Sequence, residues 1–142
     1  SPLRDLYKRQ GDAHLTLVQS VPLTGAVVVS TPQPVALADA RKAVAMFRMS
    51  NIEIPVLGIV ENMSFFVPED MPDRKYYIFG QGGAKALAEE LDTPLLAEIP
   101  LVTSIREAGD VGRPAVLQVD TPQEKAFLDL ASAVENAINI PV

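Results

Sequence analysis

Asn62 closes an apolar run in the stretch "PVLGIVENMSFF", residues 55–66. A side-chain amide carries a donor and an acceptor in one plane. Adenine displays the matching pair, an acceptor at N7 and a donor at N6. Asn62 is therefore a candidate adenine reader, with discrimination of about 1–3 kcal/mol by analogy with base readout. The competing assignment is an asparagine that satisfies backbone groups in the turn after a strand. Gly11 and Asp12 precede a helical pattern, where a carboxylate can hold magnesium or its water shell or simply cap the helix. Glu61 and Glu98 end two apolar runs, and paired carboxylates invite acid–base chemistry, although no nucleophile accompanies them. His14 reads as a surface residue, and Arg106, Glu107 and Asp110 as a solvated helical face.

The stretch "GQGGAK", residues 80–85, resembles a phosphate loop only superficially. It lacks the G-x-x-x-x-G-K-[ST] spacing and follows no buried strand. Glycines that open a helix account for it better. The chain contains no Walker A motif at all, so it has no cradle of backbone N–H groups for a triphosphate. On its own it is not expected to hydrolyse ATP, and no catalytic residue is assigned within it.

These residues need elements to hold them. "GDAHLTLVQSVP" reads as a short helix capped by Asp12, and "GAVVVSTP" as a buried strand closed by Ser30, Thr31 and Pro32. A helical pattern runs from Pro34 to about Met49. It carries Val35, Ala38, Lys42, Ala45 and Met49 near one stripe, and Leu37, Val44 and Phe47 near another. Pro34 suits a first turn, where a missing N–H costs nothing. "PVLGIVEN" is the second strand, "GGAKALAEELD" the second helix and "PLLAEIPL" the third strand. "TSIREAGDVGRP" reads as a turn or two of helix. "TPQEKAFLDLASAVENAINI" is the closing helix, with Thr121 and Glu124 as a capping box around Pro122. The segment Val67 to Tyr77, "VPEDMPDRKYY", is an irregular loop with a role of its own.

Strand–helix alternation with continuous apolar strands predicts an α/β fold, a mostly parallel sheet with helices on both faces. In such sheets ligands bind beyond the carboxyl ends of the strands. Asn62, Thr31 and Pro100 all fall on that edge.

The 142 residues are enough for one domain or most of one, and 48% apolar content favours a globular chain. With no cysteine there are no disulfides and no thiolate ligands from this chain. The formal charge of −6 argues against non-specific nucleic-acid binding. No apolar run approaches the roughly eighteen residues of a membrane span, and no signal peptide opens the chain. A cytoplasmic location without membrane attachment is expected. Residues 1–10, "SPLRDLYKRQ", are basic where the rest is acidic, and read as a frayed end or a junction.

Four blocks together resemble the Mrp/ApbC family: "GDAHLTLVQSVPLTGAVVVSTPQPVALADARKAVAMF", "PVLGIVENMSFF", "YIFGQGGAKALAEEL" and "EIPLVTSIREAGDVGRP". The resemblance runs from Gly11 to about Val119 and loosely into the last helix. It implies a P-loop ATPase of the MinD and nitrogenase-iron-protein type that carries iron–sulfur clusters. Gly11 and Asp12 then match the end of a switch beside magnesium and the γ-phosphate, and Asn62 the asparagine on the adenine. Pro100 falls where the chain packs around that base. ATP and Mg2+ are the implied cofactors, with Asp12 as an outer-shell magnesium residue. A homodimer and iron–sulfur apoproteins or an assembly scaffold are the implied partners. Phe65 and Phe66 would lead to the dimer interface.

Two departures accompany the match. The family's P-loop lies upstream of the switch, where this chain has only residues 1–10. Residues 11–142 then correspond to the C-terminal portion of a single nucleotide-binding domain, with the P-loop half missing. The family's Cys-x-x-Cys pair is replaced by "VPEDMPDRKYY", whose Glu69, Asp70 and Asp73 are hard oxygen donors unsuited to a cluster. Two other readings stand beside the carrier: a MinD/ParA-like positioning ATPase, and a non-catalytic interaction half-domain. The acidic last helix, with Glu124, Asp129 and Glu135 against Lys125, speaks against the positioning ATPase's basic surface.

Overall fold

The sheet begins where β-branched residues leave no helical alternative. β1 (Ala26–Ser30), β2 (Val56–Phe66) and β3 (Leu95–Leu101) pair in parallel in the order β1-β2-β3. The structure is a computed structural model that describes residues 22–102 and 121–139. The segment read from sequence at Gly11 to Pro22 lies outside the described residues up to Val21, and that at Thr103 to Pro114 lies wholly outside them, so Gly11, Asp12 and His14 have no structural account.

Each crossover is a helix, α1 (Pro34–Phe47) between β1 and β2 and α2 (Gly83–Glu90) between β2 and β3. The two pack on one another and on the sheet. A shared core joins Val28, Ala40, Val44, Ile59, Ala84, Leu87 and Ala88, flanked by Leu37, Phe47 and Leu95. Burying each large aliphatic side chain stabilises the fold by about 1.5–3 kcal/mol. Of the two stripes legible on α1, the structure buries the one with Leu37, Val44 and Phe47, while Val35 is 77% and Met49 49% exposed. Lys42 belongs to the exposed stripe, and its ammonium is the reason that stripe faces water.

Helix α1 ends at Phe47, two residues before the reading from sequence. Arg48 then turns across to α2, donating from its guanidinium to Leu91 O (2.8 Å) and Thr93 Oγ1 (2.6 Å). A cation at a helix C-terminus complements the helix dipole.

The third described helix, α3 (Pro122–Asn139), packs along β3 and touches β2. Its start is capped as expected, with Thr121 Oγ1 accepting from the Glu124 N–H (3.2 Å). Val29, on the side of β1 away from the core, is 61% exposed.

Candidate nucleotide-binding edge

Strand β2 is longer than its sequence pattern implied, because pairing breaks and resumes within it. Its partnership with β1 ends at Ser30↔Glu61. Its register with β3 runs Glu61↔Glu98 and Asn62↔Ile99, then shifts before Phe66↔Leu101. Residues 63–65 are the slack in that irregularity. Ser30, Glu61 and Glu98 thus form one row across the sheet, and Asn62 pairs with Ile99 in the next, where β1 has already ended. Of the three residues expected at strand carboxyl ends, only Thr31 follows its strand; Asn62 lies within β2 and Pro100 within β3, because both strands run on past them to Phe66 and Leu101.

Glu61 belongs to the fold. Its carboxylate is 3% exposed. One oxygen accepts the Ala84 N–H at 2.9 Å, and the other accepts the Ser64 hydroxyl. Ala84 is the second residue of α2, whose cap position is Gly82 with φ 75° and no side chain to offer. The first amides of a helix need acceptors, and here a strand supplies one from outside. A carboxylate at a helix N-terminus also meets the positive end of the dipole. Gly83 lets α2 come close: a Cβ there would lie 2.7 Å from Leu37 Cδ1 and 3.2 Å from Pro32 O. "GQGGAK" is therefore a helix start held by the protein's own carboxylate.

Ser64 is 1% exposed. Its oxygen is also 3.2 Å from Glu98 Oε2, but a hydroxyl has a single proton and the closer contact, to Glu61, takes it. Sequence reasoning paired Glu61 with Glu98 and found no nucleophile. The structure places a hydroxyl between them, yet buries it as a strut. The clue available in the sequence was a helix opening on glycines with no Ser, Thr, Asp or Asn to cap it, next to an acid inside an apolar run.

Between these two buried residues, Asn62 is exposed and Met63 half-buried. Asn62 Oδ1 accepts the Met63 N–H at 2.9 Å, and Met63 has φ 55°. A left-handed conformation costs a non-glycine residue about 1–2 kcal/mol, so the surroundings must hold it. Asn62 therefore does serve a backbone amide, as the turn reading had it. Its Nδ2 group and one Oδ1 lone pair are left for a ligand.

The loop after β2 folds back on the strand. Phe66 and Tyr76 exchange both backbone hydrogen bonds (2.7 and 2.9 Å). Tyr77 meets Phe65 edge-on at 6.0 Å, and Lys75 Nζ lies 4.5 Å over the Phe65 ring. Phe65, Pro72, Lys75, Glu98, Pro100 and the first turns of α3 line an open hollow of about 380 Å³. Pro100 itself is buried.

Comparison with known proteins decides the lineage. Residues 5–135 match the family model of the NUBPL iron-transfer P-loop NTPases within the ParA group. The chain belongs to this family. It is 46% identical over 137 residues to an iron–sulfur cluster carrier protein of Synechocystis, covering 96% of this chain and 38% of that protein. It is 47% identical over 133 residues to the mouse iron–sulfur cluster transfer protein NUBPL, covering 92% and 40%. Among solved structures it resembles the Pyrococcus furiosus cell division ATPase MinD, with TM-score 0.59, 28% identity and coverage of 80% of this chain and 43% of that one. It also resembles an Archaeoglobus fulgidus nucleotide-binding protein solved with ADP, with TM-score 0.62, 38% identity and coverage of 72% and 41%. The fold is thus α/β and P-loop NTPase-like, and the chain spans about two fifths of the length of these relatives.

Asn62 keeps a free amide donor and acceptor, and the chain offers no thiolate. The NUBPL-family chain has no cysteine, and among the described residues no three His, Asp or Glu side chains converge as metal ligands. Iron–sulfur centres are held by thiolates.

Proposed function

We propose that residues 11–142 supply the base-binding side of an ATP-dependent iron–sulfur cluster carrier. The observation that carries this reading is Asn62: exposed, preset by the Met63 N–H, and placed on β2 just past the last residue paired with β1 in a P-loop NTPase-like sheet. The ADP complex of the Archaeoglobus relative supports a nucleotide as the ligand. In this reading Asn62 pairs with the adenine edge and Pro100 packs near the ring. Gly11 and Asp12 lie beside the phosphates, with Asp12 in the outer shell of magnesium. Bound ATP supplies the energy of a hydrolysable phosphoanhydride. Hydrolysis needs a P-loop from the remainder of a longer chain. The working unit is a cytoplasmic homodimer that delivers clusters to iron–sulfur apoproteins or receives them from a scaffold.

Calorimetric titration of the full-length gene product with magnesium ADP tests this. Asn62→Ala should weaken binding by about 1–3 kcal/mol, the worth of a paired base edge. Unchanged affinity in the variant contradicts the assignment of Asn62 to the base, and absence of binding by the wild type leaves the interaction half-domain as the reading.

A further inference from the structure

The four residues Glu61, Asn62, Met63 and Ser64 alternate in an unusual way: the outer two are buried and bonded to each other, and the inner two face outwards. Glu61 is also tied to the Ala84 N–H at the start of α2. The segment is therefore closed at its base by a side-chain bridge and fixed to a helix, while its tip holds a left-handed Met63. Such a conformation persists only where the neighbours over-determine it.

We infer that Glu61 is a positioning residue for base selection, holding the Asn62–Met63 tip in the conformation that accepts a 6-amino purine and rejects a 6-oxo purine. This rests on the assignment of Asn62 to the base. The Met63 N–H takes one lone pair of Asn62 Oδ1. It thereby fixes which end of the amide is oxygen, because a rotated amide would set Nδ2 against that N–H. Along its outer edge a 6-amino purine offers N6–H as donor and N7 as acceptor, and the fixed amide satisfies both. A 6-oxo purine offers two acceptors there, and O6 would meet Oδ1 with no hydrogen between them. Discrimination thus depends on the tip staying locked, and the lock is the Glu61–Ser64–Ala84 set of bonds. Neither Glu61 nor Ser64 touches the base.

The test is the ratio of ADP to GDP affinity, measured as magnesium complexes on the full-length protein, with thermal melts run in parallel. The wild type should prefer ADP by about tenfold or more, and Asn62→Ala should abolish that preference. Glu61→Ala and Ser64→Ala should lower the ratio by about threefold or more, because a freed amide loses its fixed match to ADP and can turn Nδ2 towards O6 of GDP. Glu61→Gln should keep the ratio. Its Oε1 can accept the Ala84 N–H and its Nε2 can donate to Ser64 Oγ, which then donates to Glu98. If Glu61→Ala does not fold, Ser64→Ala carries the test, since it removes one hydroxyl and leaves the helix cap. A ratio unchanged in Glu61→Ala and Ser64→Ala, with both affinities reduced equally, overturns the inference and makes the bridge purely structural. A ratio unchanged in Asn62→Ala is a different failure. It removes the base from Asn62 and this role of Glu61 with it.

Discussion

Arg41 lies at the surface and Ile59 in the core, and the core residue carries more of the stability. Arg41 pairs with Glu90 at 2.8 Å, but both side chains are about half exposed, 51% and 55%, and water screens the pair. Ile59 has no exposed surface and sits where β2 meets both crossover helices. Urea unfolding should show Arg41→Ala costing under about 1 kcal/mol, and Ile59→Ala about 2–5 kcal/mol from lost burial and the cavity left behind. Comparable losses for the two would mean that the core lies elsewhere. At this scale the sequence was legible for polarity and not for partnership. Asn62 announced itself as an amide ending a dry strand. Ser64 did not, because a serine inside "ENMS" looks the same whether it faces water or closes a buried bridge. Glu61 was visible as an anomaly, but its partner Ala84 is distant in sequence and is engaged through a backbone amide, which no side-chain pattern records.

Elements were easier to read than their ends. β1, β3, α1, α2 and α3 fall where periodicity and capping placed them, since continuous β-branched runs and a Thr–Pro–x–Glu start have few alternatives. β2 ran past Asn62 to Phe66 because the loop after it returns to pair with the strand through Tyr76. That pairing is long-range within the loop and leaves no alternating pattern. Helix α2 depends on close approach. Adding a methyl in Gly83→Ala would press on Leu37 Cδ1, which can yield, and on Pro32 O, which is backbone and cannot yield as easily. The expected cost is about 1–3 kcal/mol in urea unfolding. A neutral substitution would show that α2 can retreat from α1 without loss, against the packing described for Ala84 and Leu87.

For the molecule as a whole, family and fold were carried by long blocks of sequence, whereas the cargo question turned on an absence. A chain of this family without cysteine has no thiolate of its own to offer a cluster. Anaerobic reconstitution of this chain with iron and sulfide should therefore leave no stoichiometric cluster after desalting, read from visible absorbance and metal analysis. Retained iron and sulfide in equal amounts would contradict it. The proposal places a nucleobase against Asn62 and near Pro100. Photolabelling of the full-length protein with 8-azido-ADP, followed by peptide mapping, tests this. Label is expected on peptides containing Asn62 or Pro100, competed by ADP. Competed label confined to peptides outside residues 31–102 would contradict it.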